Sequence, residues 1–136
     1  MDAKKLIVGS IVGGIVIFGL GYVTYVLLLA DFFKDNSTGA ANLMRTPPLY
    51  WAIGVGCLLE AALICYVLGS RSGVGAGAKT GAIVGLLMWG SANFFMYGTQ
   101  DLANLTATIV DPLVSAVLTG IAGAVIGVVV GKMKPA

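Results

Sequence analysis

Long apolar runs alternate with short polar segments along the whole chain. The runs cover residues 6–30, 49–69, 80–104 and 111–131. Each run is long enough to cross a hydrocarbon core of about 30 Å as an α-helix. We therefore predict an all-α fold in which residues 1–136 form one domain, a four-helix transmembrane bundle.

Polar residues and residues with restricted backbones mark the connections between the runs. Residues 31–48 form the longest polar connection, and residues 70–79 form a glycine-rich turn. Asp111 and Pro112 indicate the start of the last helix, because proline fits the first helical position and an acidic side chain interacts favourably with the helix N-terminus.

Composition requires lipid around most of the chain. The sequence is 58% hydrophobic and only 10% charged, whereas soluble domains carry roughly 25% charged residues. So few charges do not cover a water-facing surface.

Cys57 and Cys65 lie in one apolar run, about 12 Å apart along a helix, which is too far for a disulfide.

The distribution of basic residues predicts the orientation. Six of the eight lie on one side of the predicted bundle, and two, Lys34 and Arg45, lie on the other. The positive-inside rule then places both termini and the middle loop in the cytoplasm. The six are Lys4, Lys5, Arg71, Lys79, Lys132 and Lys134.

Two similar segments suggest an internal repeat. GSIVG at residues 9–13 is matched by GAIVG at residues 81–85. Each half, residues 1–69 and 73–136, would hold one helical hairpin, and two tandem hairpins would form a parallel repeat. Chance similarity between helices rich in glycine and isoleucine is the alternative. The spacing between the GSIVG and GAIVG segments also separates Tyr25 from Tyr97. We expect these two tyrosines to face one central region.

Glycines recur at a spacing of four residues in three of the predicted helices. Helix faces formed by such small residues let membrane helices approach closely and gain dispersion contact. We expect them to serve helix packing, and at least one to serve self-association. The glycines are Gly9, Gly13, Gly81, Gly85, Gly123, Gly127 and Gly131.

Glu60 is the one charged residue near the middle of a predicted span. A central charge costs roughly 2.5 to 3.5 kcal/mol on insertion scales. One interpretation is a proton-coupled or cation-coupled site, at the depth of Ser91 on the third span. The other is a neutral carboxyl that is hydrogen-bonded to a neighbouring helix or an identical subunit.

A polar stripe follows one face of the third predicted span, at steps of four, four and three residues. It contains Asn93, Tyr97, Asp101 and Asn104. With polar groups of other segments, the stripe would line a vestibule that is open to the outer side and favours cations. A hydrogen-bond network that only specifies the fold is the alternative. The supporting groups are Tyr25, Gln100 and Asp111.

The sequence gives no argument for an enzyme. It contains no histidine and shows no nucleophile and base pair or metal-ligand cluster. The glycine-rich stretch before Lys79 lacks the glycine that a phosphate-binding loop requires directly before its lysine. We predict no cofactor, no metal and no nucleic-acid partner.

The segment Tyr97-Gly-Thr-Gln-Asp101-Leu-Ala-Asn104-Leu, followed by Asp111, resembles a family of small bacterial inner-membrane proteins of unknown function. Members carry a Y-G-T-x-D-L-x-N-L segment in a four-helix protein. The resemblance implies a four-helix fold and a location in the bacterial inner membrane. It implies no activity.

Three functional hypotheses follow. The first is an oligomeric transporter or channel-like protein with a polar site open to the outer side. The second is a structural or accessory subunit of a larger membrane complex, which docks through its glycine faces. The third is a binder of a lipid, quinone or pigment with an apolar wall of Trp89, Phe94 and Phe95. The expected partners are the bilayer, further copies of the chain or a membrane complex, and a small ligand that the sequence does not identify.

Overall fold

Helices form nearly all of the regular structure in this computed structural model, which describes residues 1–39 and 43–134. A π-helical segment, Tyr22–Leu28, continues the first helix. An isolated antiparallel bridge pairs Ser37 with Ala103. The α-helices are α1 (Ala3–Gly21), α2 (Ala30–Asp35), α3 (Tyr50–Leu68), α4 (Val74–Thr99) and α5 (Leu105–Lys132).

Three helical segments are long and apolar enough to cross a membrane: Ala3–Leu28, Tyr50–Leu68 and Leu105–Lys132. Large apolar side chains such as Ile15, at 68% exposed, and Val117, at 67%, point outward from them. Lipid accommodates such surfaces and water does not. The predicted all-helical fold is confirmed, and the chain has the character of an integral membrane protein.

The ends of α4 and α5 differ from the prediction. Helix α4 begins at Val74 and ends at Thr99, so it does not extend to residue 104. Helix α5 begins at Leu105 because the Asn104 side chain accepts a hydrogen bond from the backbone N–H of Ala107, at 2.9 Å. This N-cap satisfies a free helix-end donor. Pro112 consequently lies inside α5, where it is buried, and does not begin the helix.

Helices α4 and α5 pack antiparallel with their backbones in contact. A Cβ atom added to Gly77 would collide with the carbonyl oxygen of Gly123, and one added to Gly81 would collide with that of Thr119. The Thr119 hydroxyl also donates to the Gly81 carbonyl oxygen, at 2.8 Å. Glycine is required here because any side chain would separate the helices.

Helix α1 lies between α3 and α5 and packs against both. Its Gly9 faces Cys65 of α3, and its Gly13 faces Ala61 of α3 and Ile126 of α5. Helix α4 packs chiefly against α5 and has only a small contact with α3. Ile64, Cys65, Leu68, Ala122 and Ile126 are almost fully buried and form the centre of the core.

The two cysteines are both free thiols, as the sequence predicts; Cys65 is buried and Cys57 is half-buried.

The hairpins α1–α3 and α4–α5 each place glycines of the first helix against the second. However, Gly9 and Gly13 face side chains, whereas Gly77 and Gly81 face backbone atoms. The tandem repeat therefore stays a prediction.

Gly81→Ala tests the backbone contact between α4 and α5. We expect it to lower the free energy of unfolding by about 1 to 3 kcal/mol, the usual cost of overpacking a close contact. Gly75→Ala is the matched control, since it lies on the same helix and a Cβ atom there meets nothing within 4 Å. Thermal unfolding in mild detergent measures both variants. Equal unfolding midpoints would contradict the assigned contact.

Candidate functional site

A cavity of about 340 Å³ lies between the helices, in the half of the bundle that includes the π-helical segment. Its walls come from α1, the π-helical segment, α3 and α5, and a single residue of α4, Trp89, completes them. Most of the lining is apolar, as at Ile17, Ile53 and Leu118. Two carboxyl groups, those of Glu60 and Asp111, also line it.

The carboxyl group of Asp111 on α5 accepts hydrogen bonds from two other elements. The Tyr25 hydroxyl, on the π-helical segment, donates to one oxygen at 2.6 Å. The side-chain amide of Asn93, on α4, donates to the other oxygen at 2.7 Å. The Ser115 hydroxyl lies 3.1 Å from that of Tyr25. Because the Tyr25 proton is directed to Asp111, Ser115 is the donor in this second bond.

Glu60 is only 7% exposed. It lies on the buried face of α3, one turn before Ile64 and two turns before Leu68. The indole N–H of Trp89 donates to its Oε1 atom at 2.8 Å. This bond links α3 to α4 across a side of the bundle where the two helices otherwise touch little.

The two carboxyl oxygens of Glu60 differ, because Trp89 donates to Oε1 only. Within residues 1–39 and 43–134, no fully buried side-chain nitrogen or oxygen lacks a hydrogen-bond partner. Oε2 of Glu60 has no such partner in that part of the chain, so it is accessible, and Glu60 lines the cavity. A carboxyl oxygen that lacks a donor, on a largely buried side chain, binds an incoming donor or cation strongly.

The structure brings together part of the predicted polar stripe. Asn93 donates to Asp111, which also accepts a hydrogen bond from Tyr25. Tyr97, at 46% exposed, lies outside the lining of the cavity, so it does not share a central region with Tyr25. Gln100 caps the end of α4 and Asp101 follows it, both exposed. The stripe is interrupted because α4 ends at Thr99.

Other predicted residues have different positions. The Asn104 side chain donates to the Asn36 side chain at 2.8 Å and thereby ties the start of α5 to the loop after α2. Ser91 is exposed and does not reach Glu60. Phe94, at 52% exposed, and Phe95, at 73%, point away from the cavity, so they do not form a wall there with Trp89.

Sequence reasoning missed a second polar stripe, on α5. Asp111, Ser115 and Thr119 recur every four residues, and all three line the cavity. This spacing places them on one helix face, so it was a detectable signal. The bond between Glu60 and Trp89 had no comparable signal, because it joins two helices whose relative register the sequence does not show.

Tyr25→Phe tests the network at Asp111. The variant removes a donor to a carboxyl group inside the bundle, so we expect the free energy of unfolding to fall by about 1 to 3 kcal/mol. Tyr66→Phe is the matched control, because Tyr66 is 78% exposed. Chemical or thermal unfolding in mild detergent measures both. A Tyr25→Phe variant as stable as Tyr66→Phe would contradict a stabilising role for the network.

Comparison with known proteins gives no functional information for this chain. No family model, no curated protein and no solved structure matches the chain. The resemblance around Tyr97 and Asn104 therefore stays a prediction.

Proposed function

We propose that this is a small integral membrane transport protein that binds an amphipathic solute in the cavity between its helices. The observation that carries the proposal is Glu60, a carboxyl group only 7% exposed that lines a largely apolar cavity and has one oxygen without a hydrogen-bond partner in the described part of the chain. Carboxyl groups inside membrane helices are costly and most often mark a path for substrates or ions. The apolar walls favour the body of a solute, and the carboxyl group favours its polar end.

The proposal includes four membrane spans, with α4 as the fourth. Helix α4 has 26 residues, about 39 Å at 1.5 Å per residue, which exceeds the hydrocarbon thickness. Its contacts with α5 run from Gly77 to Gly90, which lies beside Pro112. A helix that packs along so much of a spanning helix is most simply placed across the same layer. Its glycines and Asn93 explain why α4 is less apolar than the other three long helices.

The proposed orientation has both termini in the cytoplasm of a bacterial cell, in the inner membrane. Met1, Arg71 and Gly131 line one small pocket, so the N-terminus, the α3–α4 turn and the end of α5 lie together. The same end carries most of the basic residues, which supports a cytoplasmic location. The bacterial inner membrane rests on the resemblance at Tyr97 to Asn104.

We also propose that the chain works as a homo-oligomer. A chain of 136 residues leaves little room for a transport pathway, and Trp89 alone closes the α4 side of the cavity. A tandem repeat would fit this arrangement because each chain would then supply two similar hairpins.

Native mass spectrometry from lipid nanodiscs should show one defined oligomer. A clean monomer would contradict this part of the proposal and leave a cavity within one chain.

Occupancy of the cavity is tested with a matched pair of glycine variants. Gly21 lines the cavity, whereas Gly19 on the same helix does not. A Cβ atom at either position meets nothing within 4 Å. Gly21→Phe should therefore weaken solute binding at least about tenfold, as expected when a ring occupies a small pocket. Gly19→Phe should leave binding unchanged.

Binding is measured by Trp89 fluorescence in nanodiscs, in a Trp51→Phe background that leaves one tryptophan. The probes are an alkylbenzene, an aryl ammonium and an aryl carboxylate. If no probe gave saturable binding, or if Gly21→Phe had no effect, the proposed binding site would be wrong. Saturable binding without flux of a non-permeant probe into proteoliposomes would support a ligand-binding subunit in place of a transporter.

A further inference from the structure

We infer that the ligand of this cavity is an organic cation with an apolar body, and that Glu60 supplies the charge that binds it. The inference rests on the proposed function, since it names the class of solute that the same cavity takes. Three features carry it: the signs of the charges in the cavity, the different hydrogen bonding of the two carboxyl groups, and the aromatic rings beside them.

The charged groups of the lining are all acidic. Glu60 and Asp111 line the cavity, and the residues described there include neither lysine nor arginine. The hydrogen bonds to both carboxyl groups come from neutral donors, an indole, a phenol and an amide. An ionised carboxylate in a low-dielectric interior is stable only with a counter-charge. A cationic ligand supplies that charge, whereas an anionic ligand would be repelled.

The two carboxyl groups differ in their capacity to contact a ligand. Both oxygens of Asp111 already accept a hydrogen bond, from Tyr25 and from Asn93. Glu60 accepts a bond on one oxygen only, from Trp89. The remaining oxygen of Glu60 has no such bond within the described residues and keeps accessible surface, and Glu60 lines the cavity. Glu60 is therefore the direct partner of the cation, and Asp111 is a positioning residue that holds Tyr25.

Aromatic rings and apolar side chains complete the selection. Trp89, Tyr25, Tyr22 and Tyr50 line the cavity, and aromatic faces attract organic cations. A volume of about 340 Å³ lies at the small end of the range for ligand pockets, about 300 to 1,000 Å³. Such a space suits a compact cation with an apolar group, and a bare metal ion would leave the apolar walls unused.

The test uses two molecules of nearly equal shape. Benzyltrimethylammonium carries a positive charge, and neopentylbenzene replaces its nitrogen with carbon and is neutral. Both are titrated against Trp89 fluorescence in nanodiscs, in the Trp51→Phe background, with empty nanodiscs as the blank. We expect the cation to bind at least about tenfold more tightly than its neutral counterpart, as a desolvated ion pair with a cation–π contact allows.

Variants that change the charge at Glu60 test whether this residue causes the preference for the cation over its neutral counterpart. Glu60→Gln should reduce the preference to about twofold or less, because it keeps the shape of the side chain and removes the charge. Glu60→Asp should restore much of the preference. Asp101→Asn, an exposed carboxyl outside the cavity, should leave it intact. Unfolding temperatures of the variants show that each is folded.

The outcomes separate this inference from the proposed function. Equal binding of the two molecules, sensitive to Gly21→Phe, would overturn the cation preference and retain the cavity as a site for neutral apolar solutes. A cation preference that Glu60→Gln does not change would overturn the role of Glu60. Absence of saturable binding by either molecule would count against both the inference and the binding site itself.

Discussion

The backbone contact between α4 and α5 is the constraint on which the site depends. Gly77 and Gly81 lie directly against Gly123 and Thr119, without side chains between the helices. This close approach brings the short side chain of Asn93 within 2.7 Å of Asp111. With wider helix separation, this bond would be lost and one oxygen of Asp111 would lack a donor, and an unpartnered polar group in an apolar interior costs roughly 1 to 3 kcal/mol.

The same contact places Trp89 at the edge of the cavity. Trp89 lies one turn before Asn93 on α4, and the Asn93 amide also donates to the Trp89 carbonyl oxygen, at 2.8 Å. From this position the Trp89 indole reaches Glu60 of α3, which also lines the cavity. Helices α3 and α4 are therefore joined by a polar bridge, where most other helix pairs meet through apolar or glycine contacts.

The polar groups of the site divide into two sets with different capacities. Tyr25 and Asn93 donate to Asp111, and Ser115 bonds the Tyr25 hydroxyl; together they connect three elements, which makes this set a structural anchor. Glu60 accepts a bond on one oxygen only and is therefore the group most able to gain a new partner. Hydrogen bonding thus separates an anchoring carboxyl group from one that is available to a ligand, although both line the same cavity.

Features that depend on local pattern could be predicted from the amino-acid sequence: helices, apolar spans, free cysteines and a carboxyl group within a span, at Glu60. Hydropathy and helical spacing act over a few residues, so they can be seen in one chain segment. The three-dimensional packing was needed to show that α4 ends at Thr99, that Asn104 caps α5, and that Asp111 accepts a hydrogen bond from Tyr25. Those outcomes depend on the register between helices, which close packing of glycines sets and no single segment contains.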